Sequence, residues 1–212
     1  YASPKQQMAA RDALMSRPAG TVEWSASIQY TDGEIYNPAT GKMDKVRLRS
    51  YQGVGVDPDV PFVPPAINLR PGDTFLFNLK NDLPANDPSC VDHGDVNIPH
   101  CFNSTNMHVH GLWVSPSGNS DNVLLRLTPG AQFTHEYNIP ADHPAGTFWY
   151  HPHLHGATAL QVSSGMGGPL IIRGERLPGQ DHTGDIDTLL RYADGTPLGE
   201  RIVTLTQIAY AC

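Results

Sequence analysis

Met107-His108-Val109-His110-Gly111 and Trp149-Tyr150-His151-Pro152-His153-Leu154-His155-Gly156 each carry histidines one residue apart. In an extended strand successive side chains point to opposite faces, so both members of a His-x-His pair project to the same side. Two such strands laid side by side bring four imidazoles, those of His108, His110, His151 and His153, into one small volume. Without a metal, that many buried ring nitrogens would lack partners. Imidazole is the commonest protein metal ligand and suits copper, zinc, iron and nickel. The pattern therefore reads as a multi-histidine metal site carried on β-strands.

The rest of the chain fits a strand-rich scaffold. It has 212 residues, enough for one large core and the beginning of a second unit. Its 20 glycines and 19 prolines are spread along the whole length, as turn residues between many short strands would be. Thr21 to Tyr30 alternates apolar and polar residues, with turn signals following at Asp32-Gly33 and Asn37-Pro38. Met43 to Tyr51 reads as a strand, and Ala66 to Leu83 as two strands joined at Arg70-Pro71-Gly72-Asp73. Residues 82–102 read as loop. Strands are then expected at about 106–112, 132–139, 147–153 and 169–173, with a linker around 178–184 and a fresh strand over 201–208. A short helix is expected over 3–16, ended by Pro18-Ala19-Gly20. The sum is an all-β sandwich or barrel. A net charge of −7 argues against nucleic acid or an anionic membrane as partner, and no apolar run approaches a membrane span. The chain starts at Tyr1 without a visible signal sequence, and so reads as a processed protein or a fragment.

Four motifs, in this order, resemble the multicopper oxidases, the family of laccases, bilirubin oxidases and bacterial copper-efflux oxidases. They are Pro65-Ala66-Ile67-Asn68-Leu69-Arg70-Pro71-Gly72-Asp73, His108-x-His110-Gly111, Pro144-Ala145-Gly146-Thr147-Phe148-Trp149-Tyr150-His151-Pro152-His153, and Gly165-Met166-Gly167-Gly168-Pro169-Leu170-Ile171-Ile172. The resemblance implies a cupredoxin-like Greek-key β-sandwich over 20–178, after an N-terminal helical extension at 1–19. A linker at 179–199 and the opening of a second cupredoxin domain at 200–212 would follow. It also implies copper. His108 would bind the type 2 copper, His110 one type 3 copper, and His151 and His153 one type 3 copper each. In the family the other four ligands of this trinuclear cluster, and the type 1 site, come from a later domain with a His-Cys-His segment. Here none of Cys90, Cys101 and Cys212 lies between histidines, so no type 1 site can be built from this chain.

The family resemblance extends to Asp121, which follows His110 at the spacing where laccases place an Asp-Gly that assists proton delivery. Here Asn122 replaces the glycine, and a simple turn aspartate is the competing reading. His155 shares a face with His151 and His153 if the strand continues, but a supporting or loop role is expected. His143 is expected to cap the turn before the second pair, His135 to face solvent, and His93, His100 and His182 to lie in surface loops. Trp113 and Trp149 are expected to fill the core, and 165–168 to pack closely against the histidine strands. A Cys90–Cys101 disulfide would close about twelve residues and contribute on the order of 3 kcal/mol. Cys90-x-x-His93 with His100-Cys101 is a zinc-type alternative of non-standard spacing. Cys212 is left over. Asn103-Ser104-Thr105 matches a glycosylation acceptor pattern and is read as coincidental.

Two functions follow. One is the N-terminal domain of an oxidase that passes electrons from a small-molecule or metal-ion donor to dioxygen, alongside further cupredoxin domains. The other is a free-standing copper-binding module without turnover. A disulfide and the habit of the family both point to an extracytoplasmic setting, secreted or periplasmic.

Overall fold

The computed structural model describes residues 13, 17–91, 95, 97–181 and 183–210. The helix expected over 3–16 lies outside them save for Ala13, which is helical. His93, His182 and Cys212 also lie outside. Eight strands and two short helices follow in order: β1 (Thr21–Asn37), β2 (Lys42–Gly53), β3 (Ile67–Leu69), β4 (Thr74–Asn81), β5 (His108–His110), β6 (Gln132–Asn138), β7 (Gly146–His151), α1 (Thr158–Val162), β8 (Gly168–Ile172) and α2 (Ile186–Leu189). They form two four-stranded sheets, ordered β2-β1-β4-β6 and β3-β8-β7-β5. Both sheets are mixed, because β1 runs parallel to β4 and β3 parallel to β8. The chain alternates between the sheets from β2 to β7, and β8 then pairs with β7 in the same sheet, which produces the all-β, cupredoxin-like sandwich.

Period-two burial explains the sandwich. In β4 the inward residues Phe75, Phe77, Leu79 and Asn81 are buried, while Lys80 lies exposed on the outer face. Trp24 and Ile28 of β1, Tyr51 of β2 and Tyr137 of β6 join them. The opposite sheet adds Leu69, Val109, Tyr150, Leu170 and Ile172. Trp24 bridges the sheets, edge-on to Phe77 at 4.7 Å and to Tyr150 at 5.5 Å. Burying each large apolar side chain contributes about 1.5–3 kcal/mol. The buried Asn81 is satisfied, its amide donating to the carbonyls of Asn103 and Leu127 at 2.8 and 2.9 Å.

Some expected boundaries shift. Asp32-Gly33 makes no turn; β1 runs through it and the hairpin closes at 38–41. Gly33 is a close-approach residue, since a Cβ there would sit 2.6 Å from the Phe62 ring. Strand β7 stops at His151, before Pro152, which has no N–H to continue a ladder. Residues 201–208 form no ladder among the described residues. Strand propensity is realised only where a sheet edge offers partners; just after this segment Ala209 N–H donates to the carbonyl of Ser163 at 3.2 Å. The stretch 179–199 contains α2, docked by ion pairs of Arg173 with Asp187 and of Arg176 with Asp185. Among the described residues, no helix is long and apolar enough to cross a membrane.

Candidate metal centre

Strands β5 and β7 pair antiparallel at the end of their sheet, with His108 opposite His151 and His110 opposite Trp149. This register puts His108, His110, Trp149 and His151 on one face. One ligand nitrogen from each of His108, His110 and His151 lies within 4.8 Å of the others. His153 follows the end of β7, yet its ring centre is 5.0 Å from that of His108 and 5.8 Å from that of His151. All four rings therefore meet at one place. His151 is buried, His108 half-buried, and His110 and His153 exposed, so the cluster opens to solvent on one side.

Hydrogen bonds fix how the rings present themselves. A carbonyl can only accept, so His151 Nδ1–H donates to the Pro152 carbonyl at 2.8 Å and leaves a lone pair on Nε2. That Nε2 lies 3.4 Å from Nδ1 of His110. His108 Nδ1–H donates to the Asp121 carboxylate, 2.9 Å from both oxygens, which turns His108 Nε2 outward as the available ligand atom. The same carboxylate accepts from Val109 N–H at 3.0 Å, so Asp121 fixes both the ring and its strand. Burial pushes the pKa of His151 down to about 4, and the neighbouring histidines add to the depression against the opposing Pro152 carbonyl. His151 is thus neutral at ordinary pH, as a metal ligand must be.

Two contributors escaped the sequence reading. Trp149 does not fill the core: it is 38% exposed and stacks on His151, with ring centres 3.9 Å apart and planes 22° apart. The two-residue alternation that pairs it with His151 was the available signal. Asn106 accepts from His153 N–H at 2.7 Å, and its amide donates to the carbonyls of Val123 and Leu125. Asn106 thereby ties the end of β7 to the segment entering β5. No motif marked it.

Of the other histidines, His135 departs from expectation, while His100, His143 and His155 lie in the loops and turns expected. His135 does not face solvent; it is fully buried among Phe77, Phe133 and Tyr137 because β6 turns residues 133, 135 and 137 inward. His143 is buried as well. Its Nε2 accepts from Trp113 N–H at 3.1 Å and its Nδ1–H donates to the Pro144 carbonyl at 2.8 Å, joining the loop after β5 to the loop before β7. Trp113, 57% exposed, packs on that ring instead of in the core. His155 sits exposed in the turn after β7, and His100 lies in a loop beside Gly156. Met166 is buried, and Gly167 and Gly168 let Trp149 and Tyr150 approach closely. Cys90 and Cys101 are joined in a disulfide, which removes the zinc alternative. Asn103 is buried and takes the guanidinium of Arg49 at 2.8 Å, with its own amide on the Pro84 carbonyl at 3.0 Å.

Fold and site together define an all-β domain that presents a histidine cluster suited to a late first-row metal. Residues 96–176, which hold all four clustered histidines and Asp121, match the family described as multicopper oxidase. Over this stretch the chain is similar to multicopper oxidases. It is 31% identical over 129 residues to iron transport multicopper oxidase FET3 of Gibberella zeae, covering 59% of this chain and 17% of that protein. Laccase-1 of Thanatephorus cucumeris is 28% identical over 158 residues, covering 73% and 22% respectively. The chain thus spans about a fifth of the length of these relatives. Among solved structures, the multi-copper oxidase from Pediococcus acidilactici shares the fold, with a TM-score of 0.50, 23% identity, and coverage of 73% of this chain and 28% of that one.

Proposed function

We propose that this chain is the copper domain of a multicopper oxidase that supplies half the histidine ligands of a trinuclear copper centre. The observation that carries the reading is the convergence of His108, His110 and His151 on one spot, with ligand atoms within 4.8 Å of one another. The donor set fits copper: neutral imidazoles accept both of its oxidation states, and two of the rings are held in a fixed tautomer by Asp121 and Pro152. His108 would hold the type 2 copper, His110 one type 3 copper, and His151 and His153 one type 3 copper each. Copper bound there would pass electrons, taken singly from a small-molecule or metal-ion donor, to dioxygen, giving water. The remaining ligands would come from a cupredoxin domain carrying a His-Cys-His segment.

The chain's own residues do the positioning. Asp121 orients His108, and its carboxylate retains 14% exposure, which leaves it in touch with solvent to deliver protons that oxygen reduction consumes. Trp149 covers one face of His151 and keeps water from it. The disulfide supports an extracytoplasmic setting, in line with the habit that the family resemblance implies.

Copper titration of the protein, with His108, His110, His151 and His153 each changed to alanine, tests this. Loss of His108, His110 or His151 is expected to weaken copper binding by more than about tenfold, on the scale of a lost or misoriented ligand. Unchanged binding in all three would refute the proposal.

A further inference from the structure

The disulfide holds an arrangement that none of the chemistry above uses. Cys90 is exposed, whereas Cys101 is 5% exposed. Arg126 lies against the bond, its Nη2 donating to Cys90 Sγ at 3.0 Å and to Cys101 Sγ at 2.9 Å, while its Nε faces Ser104 Oγ at 3.4 Å. The nearby Asp87 carboxylate is occupied by Ser89 N–H and Oγ–H and by Asn103 N–H. Cys101 also holds a φ of 50°, in the left-handed region that residues with a side chain rarely adopt.

We propose that Cys90–Cys101 is an exchange-active disulfide, attacked at Cys90 by an external thiol, with Cys101 leaving as a thiolate stabilised by Arg126. A thiolate of the reductant forms a sulfur–sulfur bond to Cys90 Sγ as the Cys90–Cys101 bond breaks, and the electron pair passes to Cys101 Sγ. A second thiol then displaces the first from Cys90. Two thiols become one disulfide, and the two cysteines gain two electrons and two protons. Accessibility selects Cys90 as the point of attack. A guanidinium against sulfur lowers the thiol pKa, and the lower-pKa sulfur leaves faster. The consequence is local and specific, because the bond anchors, at Cys101, the loop that runs on through Asn103 and Asn106 into β5. Gln161 of α1 is fastened to the same loop, donating to the carbonyls of Phe102 and Ser104.

The test uses the protein with Cys212→Ser, so that the third thiol does not compete. Brief reaction with glutathione, quenching with iodoacetamide and peptide mapping should place glutathione on Cys90 and the alkyl group on Cys101. Reduction by dithiothreitol should be about threefold slower in Arg126→Gln than in the parent, as expected for about one unit of leaving-group pKa at a Brønsted slope of about 0.5. Glutathione found on Cys101, or equal reduction rates for parent and Arg126→Gln, would overturn the proposal.

Discussion

Replacing Asp121 by alanine tests the link between a turn residue and the histidine cluster. Both carboxylate oxygens lie 2.9 Å from His108 Nδ1, and one also accepts from Val109 N–H at 3.0 Å. Hydrogen bonds to a charged group are each worth about 1.5–3 kcal/mol, and a buried donor stripped of its acceptor carries the full desolvation cost. His108 would then be free to rotate or to change tautomer. Loss of such an orienting partner typically weakens metal affinity 10–100-fold, or about 1.4–2.7 kcal/mol, in line with one such bond. The expected result for Asp121→Ala is copper affinity lowered about 30-fold at pH 7, measured by competition with a chromogenic chelator. In Asp121→Asn a single amide oxygen remains to accept, so an intermediate loss is expected. A second readout is independent of metal: the His108 Nδ1–H proton should be slow to exchange by NMR in the parent and fast in Asp121→Ala. If Asp121→Ala bound copper within threefold of the parent while keeping its fold, the orienting role would be wrong.

Two further outcomes follow from the packing. His135 is fully buried, and that burial pushes its pKa down to about 4 against the opposing pull of the Ser120 backbone and the Asp121 charge. Above pH 6.5 the ring is neutral whether folded or unfolded, so its linkage costs nothing there. As pH falls from about 6.5 toward 4 the unfolded chain takes up the proton first, and stability falls by on the order of 3 kcal/mol. His135→Phe should flatten that part of the urea-unfolding pH profile without lowering stability at pH 7; an unchanged slope counts against it. Gly168→Ala would place a Cβ 2.3 Å from Tyr150 Cζ, across the β7–β8 pair. That collision should cost about 1–3 kcal/mol in thermal unfolding and displace the strand that carries His151; a stability equal to the parent's would contradict the packing.

Much of the scaffold was legible because period-two alternation and turn residues act locally. The buried side of β4, the Arg70–Asp73 turn and the approach of the two His-x-His strands all followed from neighbours in sequence. The errors share a cause, which is that tertiary contact overrides local signal. Gly33 looked like a turn residue but makes room for Phe62, a residue from a distant loop. His135 looked like a solvent-facing polar residue, yet β6 presents it to Phe77. Trp149 looked like core, but it lies on the face of β7 opposite the buried Tyr150, where it meets His110 and His151 instead of the other sheet. Asn106 carried no motif, since its partners Val123, Leu125 and His153 are brought to it only by the fold. In the site, the metal-ligand residue types and Asp121 were readable from the sequence, whereas the hold of Asp121 on His108 and the parts of Trp149 and Asn106 were not.

The tripeptide Asn103-Ser104-Thr105 has a practical consequence for making this protein. Its asparagine amide is spent on Pro84, and its carbonyl oxygen is enclosed by Arg49 and Tyr30. Oligosaccharide transfer in a secretory pathway takes place on the emerging chain, before that pocket closes. A sugar tree at this amide would prevent the loop from settling against β1 and β2. Heterologous secretion from yeast or fungal hosts would then divide the product into an unmodified fraction that matures and a carbohydrate-bearing fraction that does not, whereas a bacterial host escapes the partition.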